Sequence, residues 1–222
     1  MLQQNVRQKN GREKMSNSMR HWNGNQLCAI DCETTGLDSH WHEILQICIL
    51  PLDSNIEPRK DIIPFYINLI PEHLERVNPD ALKVNKTKLS ELCKSGHDME
   101  KAKDLLDEWI NKLGLPFTKG GFRKKIMPLG QNFAFDKGFI MRWLGLDTYD
   151  YYFDYHYKDT MIAANYLNDR AAMHAEKVPF SKIRLAWLAK CFDIDHKNAH
   201  NALQDCIVTA KVYKKMLLEG LL

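Results

Sequence analysis

A short apolar run that ends in two carboxylates constrains the fold of this chain more than any other feature. The run from Leu27 to Ile30 is followed by Asp31 and Glu33, then by two threonines and a glycine. Residues i and i+2 of a strand face the same side, so the two carboxylates should project together from a strand end. They repel each other unless a proton or a cation lies between them. Oxygen ligands at this density suit Mg²⁺ or Mn²⁺ better than zinc.

A solvent-facing strand end is the ordinary alternative, and other acidic residues decide between the two. Asp136 closes the string NFAFD, which leads from an apolar strand, Ile126 to Gly130, into a helix. Asp205 lies in the first turns of an amphipathic helix that starts at His200, beside its buried stripe. Taken one at a time, these acidic residues also fit helix caps or solvated surface charges.

Composition limits the number of domains. The chain has 222 residues, of which 45% are hydrophobic, enough for one large α/β domain or two small ones. Residues 1–25 are polar and basic, and we expect a disordered arm there, followed by one folded domain over 26–222. The arm is either a weak phosphate-binding tail or an extension without function. Its net charge is +4, against +3 for the whole chain, so the remaining chain must bind nucleic acid through local patches and cations.

The cysteines and the hydropathy indicate the compartment. Six cysteines form no CxxC pair, and most lie in apolar runs, which favours reduced thiols over disulfides or a zinc site. The sequence shows neither a signal peptide nor an apolar run long enough to cross a bilayer. We therefore expect a soluble, cytoplasmic protein without a membrane partner.

Short β-type runs predict most of the sheet. Leu27 to Cys32, Glu43 to Leu52 and Ile62 to Leu69 form a meander, and Ile126 to Gly130 forms a further strand. Aromatic residues alternate with polar ones from Tyr149 to Lys158, which predicts another strand. One aromatic face of that strand either packs on the core or forms a base-stacking platform.

Apolar spacing and capping residues predict six helices. They are a short helix capped by Asn78, a helix from Asp98 to Gly114, one from about 131 to Leu144, one from Asp159 to Leu167, one capped by Ser181, and one that starts at His200. Residues 168–179 are predicted to be a loop.

Two further patterns have open or ordinary interpretations. The basic stretch from Lys119 to Lys125 either contacts phosphates or forms a solvated loop. His40 and His42 form an HxH pair in a surface loop, for which we do not expect metal ligation.

Three strings carry a resemblance to a known family. AIDCETTGL, NFAFD and HNALQD occur in this order and match the patterns D-x-E-T-T-G, N-x-x-F-D and H-x-A-x-x-D. These resemble the three exonuclease motifs of the DEDDh family, the DnaQ-like 3′→5′ exonucleases. The resemblance covers roughly residues 27–218. Family members often have His where Gln131 stands, and no polymerase or helicase segment is recognised beside the motifs.

The resemblance implies both a fold and a site. The fold would be ribonuclease-H-like, of α/β class, with a mixed five-stranded sheet flanked by helices and the site at the strand ends. Two divalent cations, Mg²⁺ or Mn²⁺, would be bound by the four motif carboxylates, Asp31, Glu33, Asp136 and Asp205. His200 would act as the general base, a task that suits histidine because it exchanges protons near neutral pH.

The resemblance also implies substrate contacts. Thr34, Thr35 and Leu37 would hold the terminal nucleotide, and turn formation is their alternative role. The groove for the next nucleotides would be lined by Asn132, Phe133 and Phe135, although core packing is an equal alternative for Phe135.

The expected function is release of nucleoside 5′-monophosphates from single-stranded DNA or RNA 3′ ends, with DNA favoured. A non-catalytic module that binds nucleic-acid ends is one alternative, and a proofreading subunit that needs a polymerase partner is another.

Overall fold

The strand that carries the first two carboxylates is the centre of a five-stranded sheet. The computed structural model describes residues 24–197 and 199–219. The strands are β1 (Gln26–Thr34), β2 (Ile44–Pro51), β3 (Phe65–Asn68), β4 (Ile126–Gly130) and β5 (Lys158–Asp159). Their spatial order is β3-β2-β1-β4-β5. The β1–β2 and β2–β3 pairs are antiparallel, whereas β1–β4 and β4–β5 are parallel. The predicted mixed five-stranded sheet is therefore confirmed.

Eight α-helices flank the sheet within the described residues. They are α1 (Pro79–Asn85), α2 (Leu89–Ser95), α3 (Met99–Leu113), α4 (Phe133–Leu144), α5 (Leu146–Tyr152), α6 (Thr160–Met173), α7 (Leu185–Cys191) and α8 (Ala202–Glu219). A single 3₁₀ turn spans Leu74–Arg76. Three of the predicted caps are present, because the side chains of Asn78, Asp98 and Asp159 accept hydrogen bonds from backbone N–H groups of α1, α3 and α6.

The alternation of side chains along β1 explains the two-sided packing. Cys28 and Ile30 face one hydrophobic cluster, which α3 and α4 cover. Leu27 and Ala29 face the opposite cluster, which α8 covers. Asp31 and Glu33 continue the second face, since they follow Ala29 at two-residue steps. The fold thus directs the first two carboxylates toward the N-terminal end of α8.

The strand β1 extends beyond its neighbour β4. Their pairing ends where Ala29 lies opposite Leu129. On the other side of β1 the register shifts between Glu33 and Thr34, which is a bulge next to the carboxylates. The end of β1 is therefore open toward β4, and α4 reaches it there.

The aromatic stretch from Tyr149 to Lys158 does not form the strand that was predicted there. Residues up to Tyr152 belong to the helix α5, and only Lys158–Asp159 form a strand. Tyr149, Tyr152 and Phe153 are buried, at the three- and four-residue spacing of a helix face, whereas Tyr151 is exposed. Alternating aromatic residues fit both periods over so short a segment.

Several helix boundaries also differ from the prediction. The helix α6 runs to Met173, so the first part of the predicted loop 168–179 is helical. The helix α7 begins at Leu185 with Arg184 at its N-cap, not at Ser181. The helix α8 begins at Ala202, two residues after the predicted start. Both α2 and α5 were missed, because seven-residue helices give little periodic signal.

The predicted arm lies almost entirely outside the described residues, since these begin at Gly24. Asn25 is buried, and its side chain accepts a hydrogen bond from the backbone N–H of Lys125. The division of the chain at residue 25 stays a prediction. Among the helices described, none combines the length and apolar character needed to cross a membrane.

Candidate active site

One strand and two helices bring the four motif carboxylates to one place. Asp31 and Glu33 stand on β1, Asp136 in the first turn of α4, and Asp205 in the first turn of α8. Glu33, Asp136 and Asp205 are buried, and Asp31 is half-buried. Within residues 24–197 and 199–219, none of the four forms a salt bridge to a lysine or an arginine.

Asp136 completes the open edge of β1. Its Oδ1 accepts a 2.9 Å hydrogen bond from the backbone N–H of Cys32, a group that β4 is too short to pair. The turn that places Asp136 is fastened by Asp159, whose carboxylate accepts from the N–H groups of Asn132 and Phe133. Asp136 thus stands in the first turn of α4 for a structural reason, because the unpaired backbone edge of β1 orients its carboxylate.

Burial and mutual repulsion perturb the acids strongly. Burial, followed by the charges of Asp136, Glu33 and Asp205, raises the pKa of Asp31 well above its ordinary value. Burial and then the charge of Asp205 raise the pKa of Glu33 to about 7. Burial also raises the pKa of Asp136, against the opposing effect of the Cys32 N–H. A site of this kind holds excess protons until a cation replaces them.

This donor set fits divalent cations. The ligands are hard carboxylate oxygens, which Mg²⁺ and Mn²⁺ prefer. One ligand atom each from Glu33, His200 and Asp205 lie within 4.8 Å of one another. The residues therefore form an acidic cluster able to hold metal, and the number and identity of the ions belong to the proposal below.

His200 lies at the edge of this cluster, as the motif predicts. Its side chain is exposed, and its backbone adopts a positive φ of 67°. A non-glycine residue in this region is uncommon, and such residues concentrate at functional sites. Its N–H donates to Asp205 Oδ2 at 3.0 Å, so the loop conformation is coupled to the carboxylate.

A second histidine was missed from sequence. The side chain of His196 is only 10% exposed, and its Nε2 lies 2.5 Å from Asp205 Oδ1. The motif directs attention to His200, four positions later, and nothing in the sequence separates a buried histidine from an exposed one in this polar stretch. The position of His196, four residues before the motif histidine, does not by itself indicate a role.

The residues predicted to hold a terminal nucleotide fall into two groups. Leu37 is 82% exposed, three residues after the end of β1. Thr34 and Thr35 are buried, and both hydroxyls form hydrogen bonds within the loop. The Thr34 hydroxyl donates to Gly36 O, and the Thr35 hydroxyl accepts from the Glu43 N–H. Turn formation is thus an observed role of both threonines.

The second predicted set divides in the same way. Asn132 is exposed and has a positive φ of 60° at the start of α4. Phe133 is fully buried, and its ring packs against Tyr157 at 5.3 Å, so it is a core residue and does not line a groove. Phe135 is half-buried against Phe139. Of the three residues, Asn132 is the one that is freely accessible.

A groove of about 550 Å³ adjoins His200 on the side of β2 and β3. Gln46 lies on its wall and is the cross-strand partner of Glu33. The lining is polar and carries two lysines, Lys86 and Lys88. The amide of Asn85 donates to Thr34 O, which ties this wall to the first motif.

Two patterns left open by the sequence now have locations. His42 packs its ring against Gly36, and its Nδ1 accepts from Asp38 N–H, so it shapes the loop after β1. The basic stretch 119–125 precedes the first residue of β4, whereas the carboxylates lie beyond its last residue. That loop is therefore at the opposite end of the sheet from the site.

Comparison with known proteins agrees with this geometry. Residues 28–118 match the RNase_T family model, described as Exonuclease. This segment contains Asp31 and Glu33, and the fold adds Asp136 and Asp205 from outside it. This part of the chain therefore resembles exonucleases. None of the curated protein sequences compared with the chain matches it.

Solved structures share the fold of this chain at low sequence identity. E. coli exonuclease I in complex with a dA16 oligonucleotide superposes with a TM-score of 0.64 and 19% identity, over 86% of this chain and 40% of that one. Cell-death related nuclease 4 gives 0.65 and 16%, over 88% and 64%. Exonuclease I from Methylocaldum szegediense gives 0.64 and 18%, over 88% and 40%. The chain thus spans about 40% of the exonuclease I structures.

Proposed function

We propose that this chain is an exonuclease of the DEDDh type, which removes nucleotides from the 3′ end of single-stranded nucleic acid and releases nucleoside 5′-monophosphates. One observation carries the proposal: β1, α4 and α8 bring four carboxylates together, with His200 beside them. The motif resemblance supports the 3′→5′ direction. A non-catalytic role explains this cluster poorly, because buried carboxylates that repel one another destabilise the fold unless cations balance them.

The four carboxylates would hold two divalent cations, Mg²⁺ or Mn²⁺. When bound, such ions lower the pKa of a water and balance charge on the phosphate oxygens. Asp31 and Glu33 project from one strand face, so they can share ions, while Asp136 and Asp205 approach from the two flanking helices.

His200 would accept the proton of the attacking water. Its exposed ring can reach a substrate, and it lies beside Glu33 and Asp205. Its place outside α8 leaves the side chain free of helix packing, whereas its backbone is fixed by the bond to Asp205. This combination suits a base that must meet the substrate in one orientation.

The 3′ end of the nucleic acid would enter beside Leu37. The exposed leucine can press on the last base, and the polar groove by Lys86 and Lys88 can take the sugar and phosphate of the terminal nucleotide. Asn132 is accessible on the other side for the nucleotides that precede it. A nucleotide that enters such a groove must leave a duplex stack, which favours single strands.

We propose DNA as the preferred substrate. The structures of E. coli exonuclease I that share this fold contain the oligonucleotides dA16 and dT13. RNA is the alternative, because contact with a 2′ hydroxyl depends on the detailed shape of the groove. The six cysteines are free thiols, which supports a reducing compartment such as the cytoplasm.

The test is degradation of 5′-labelled single-stranded DNA and RNA of one sequence, with Mg²⁺, Mn²⁺ or chelator. We expect a metal-dependent ladder that shortens from the 3′ end, faster on DNA and slower on a blunt duplex. Asp136→Asn should lower the rate by a factor on the order of 10⁴, as expected for one member of a catalytic unit. Asp104→Asn on the exposed face of α3 is the matched control and should leave the rate unchanged.

Each other outcome has a defined meaning. Tight binding of single strands without cleavage would favour an end-binding module. Cleavage only after addition of a polymerase fraction would favour a proofreading subunit. Equal rates for wild type and Asp136→Asn would exclude the carboxylate cluster as the site of chemistry.

A further inference from the structure

Both oxygens of the Asp205 carboxylate accept hydrogen bonds from the segment that precedes α8. His196 Nε2 lies 2.5 Å from Oδ1, and the backbone N–H of His200 donates to Oδ2 at 3.0 Å. An ionised carboxylate can only accept, so in the metal-binding form of Asp205 it is Nε2 that carries the hydrogen. The two donors fix the rotation of the carboxylate about its side-chain bonds. Asp205 therefore has its orientation set before any ligand arrives.

His196 makes this bond from a buried position. Its side chain is 10% exposed, and its Nδ1 is buried without a hydrogen-bond partner among the described residues. The contact with Asp205 is thus the polar function that the ring performs in this structure. An apolar side chain of similar size would fill the same space without leaving a buried nitrogen unpaired. Stability alone does not explain a histidine at this position.

We propose that His196 is a positioning residue that holds the Asp205 carboxylate in the orientation required to bind a divalent cation together with Glu33. Each carboxylate oxygen has two lone pairs, so Oδ1 can accept from His196 and still coordinate an ion. Hydrogen bonds from outside a metal site commonly orient its ligands in this way. The inference rests on the proposed metal-dependent function, but it concerns cation binding, which can be measured without substrate.

The two histidines around Asp205 have different positions and therefore different roles. His200 is exposed on the substrate side, with a ring nitrogen within 4.8 Å of ligand atoms of Glu33 and Asp205. The His196 side chain is only 10% exposed and is bonded to Asp205. A change at His196 should alter the affinity for metal, whereas a change at His200 should alter turnover.

The experiment compares two variants of equal side-chain length, His196→Gln and His196→Met. The glutamine amide can donate to Asp205 Oδ1 as Nε2 does, whereas the methionine cannot. Binding of Mn²⁺ to the substrate-free protein is measured by calorimetry and electron paramagnetic resonance. His174→Gln, an exposed histidine at the end of α6, is the control for loss of an imidazole elsewhere.

We expect His196→Met to weaken Mn²⁺ binding by about 10- to 100-fold, the usual effect of losing such a bond. His196→Gln should bind within a few-fold of wild type, and the melting temperatures of both variants in chelator should agree. KM for DNA measured at saturating metal should change little. His174→Gln should match wild type throughout.

Equal Mn²⁺ affinity for His196→Met and wild type would overturn the proposal. So would equally weak binding by both variants, because the N–H would then be irrelevant and the ring shape would matter. A wild-type protein that binds Mn²⁺ but cleaves nothing would refute the proposed function, while the Gln/Met difference would still support the role of His196. A wild type that binds no Mn²⁺ at millimolar concentration would overturn both.

Discussion

Two halves of the site are held in different ways. Asp31, Glu33 and Asp136 belong to regular structure, on the central strand and on the first turn of α4. The hydrophobic cluster between the sheet and the helices α3 and α4 supports this half from the opposite face of β1. On the other half, Asp205 starts a helix, but its carboxylate is oriented by the segment 192–201, described except for residue 198.

The segment of the second half is fastened by individual side-chain bonds instead of a ladder. Asn201 Nδ2 donates to Tyr66 Oη, Ala202 N–H donates to Gln46 Oε1, and Lys86 Nζ lies 3.4 Å from Ala199 O. Such bonds contribute little free energy each, so the segment can open at a lower cost than β1. The first half is therefore held by regular structure, and the second by individual bonds that open more easily.

The largest expected effect separates the base from the fixed charges. His200→Ala should lower kcat by a factor on the order of 10²–10⁴, the usual contribution of a positioned base. Affinity for Mn²⁺ and for single-stranded DNA should stay within a few-fold, because the four carboxylates are unchanged. Single-turnover kinetics with excess enzyme, together with Mn²⁺ titration, measures both quantities.

His174→Ala is the matched control, since it removes an exposed histidine far from the motifs in sequence. A kcat within threefold of wild type for His200→Ala would refute its role as the base. A large loss of Mn²⁺ affinity would instead make His200 a metal ligand.

The first half of the site was largely predictable from sequence. The apolar run before Asp31 predicts a buried strand, and the two-residue spacing places Glu33 on the same face, as observed. Asp136 could be placed through the strand-to-helix transition. Its bond to the Cys32 N–H could not be predicted, because it depends on β4 ending four residues before the end of β1 along the edge that the two strands share.

For the second half of the site, the sequence predicted which residues take part but not how they are arranged. The motif identifies His200 and Asp205, whereas the burial of His196 depends on packing between segments far apart in the chain. The burial of Phe133 has the same cause, since its partner Tyr157 is 24 positions away and lies before β5. Periodicity reports the face of one element, and these residues lie where elements end.

The second prediction concerns charge in the fixed half. Glu33 has a pKa of about 7 in the folded protein against an ordinary value of 4.5. The folded state therefore binds more protons between these values, so Glu33 makes the metal-free protein lose stability as pH rises from about 4.5 to 7. The loss attributable to Glu33 is on the order of a few kcal/mol. Urea unfolding in chelator at pH 5 and pH 8 measures it.

Glu33→Gln is the control for this pH dependence. The variant should make the decline in stability between pH 5 and pH 8 shallower, and saturating Mg²⁺ should do the same for wild type. A wild-type protein more stable at pH 8 than at pH 5 in chelator would contradict the raised pKa of Glu33. Stability would then not be linked to repulsion in the carboxylate cluster.

The third prediction perturbs the loop that joins the fixed half to the substrate side. A Cβ at Gly36 would lie 2.2 to 2.6 Å from three ring atoms of His42. Gly36→Ala should therefore displace the ring and break its bond to Asp38 N–H, with a loss of about 1–3 kcal/mol in stability and a raised KM. Urea unfolding and steady-state kinetics measure the two effects.

The double variant Gly36→Ala/His42→Ala tests the cause of that loss. If the clash with the ring is responsible, the alanine at His42 should restore part of the stability, so the two changes should not add. Additive losses would show that glycine is needed for another reason, such as the path of the backbone.

The smallest expected effect concerns a single bond of the adjustable half. Tyr66→Phe removes the acceptor of the Asn201 amide on an exposed surface, where water can replace it. Stability should fall by less than about 1 kcal/mol, and hydrogen exchange should increase at the start of α8 but not in β1. Tyr166→Phe, an exposed tyrosine on α6, is the matched control. Faster exchange in β1 as well would show that the two halves open together, and that the division drawn between them does not hold.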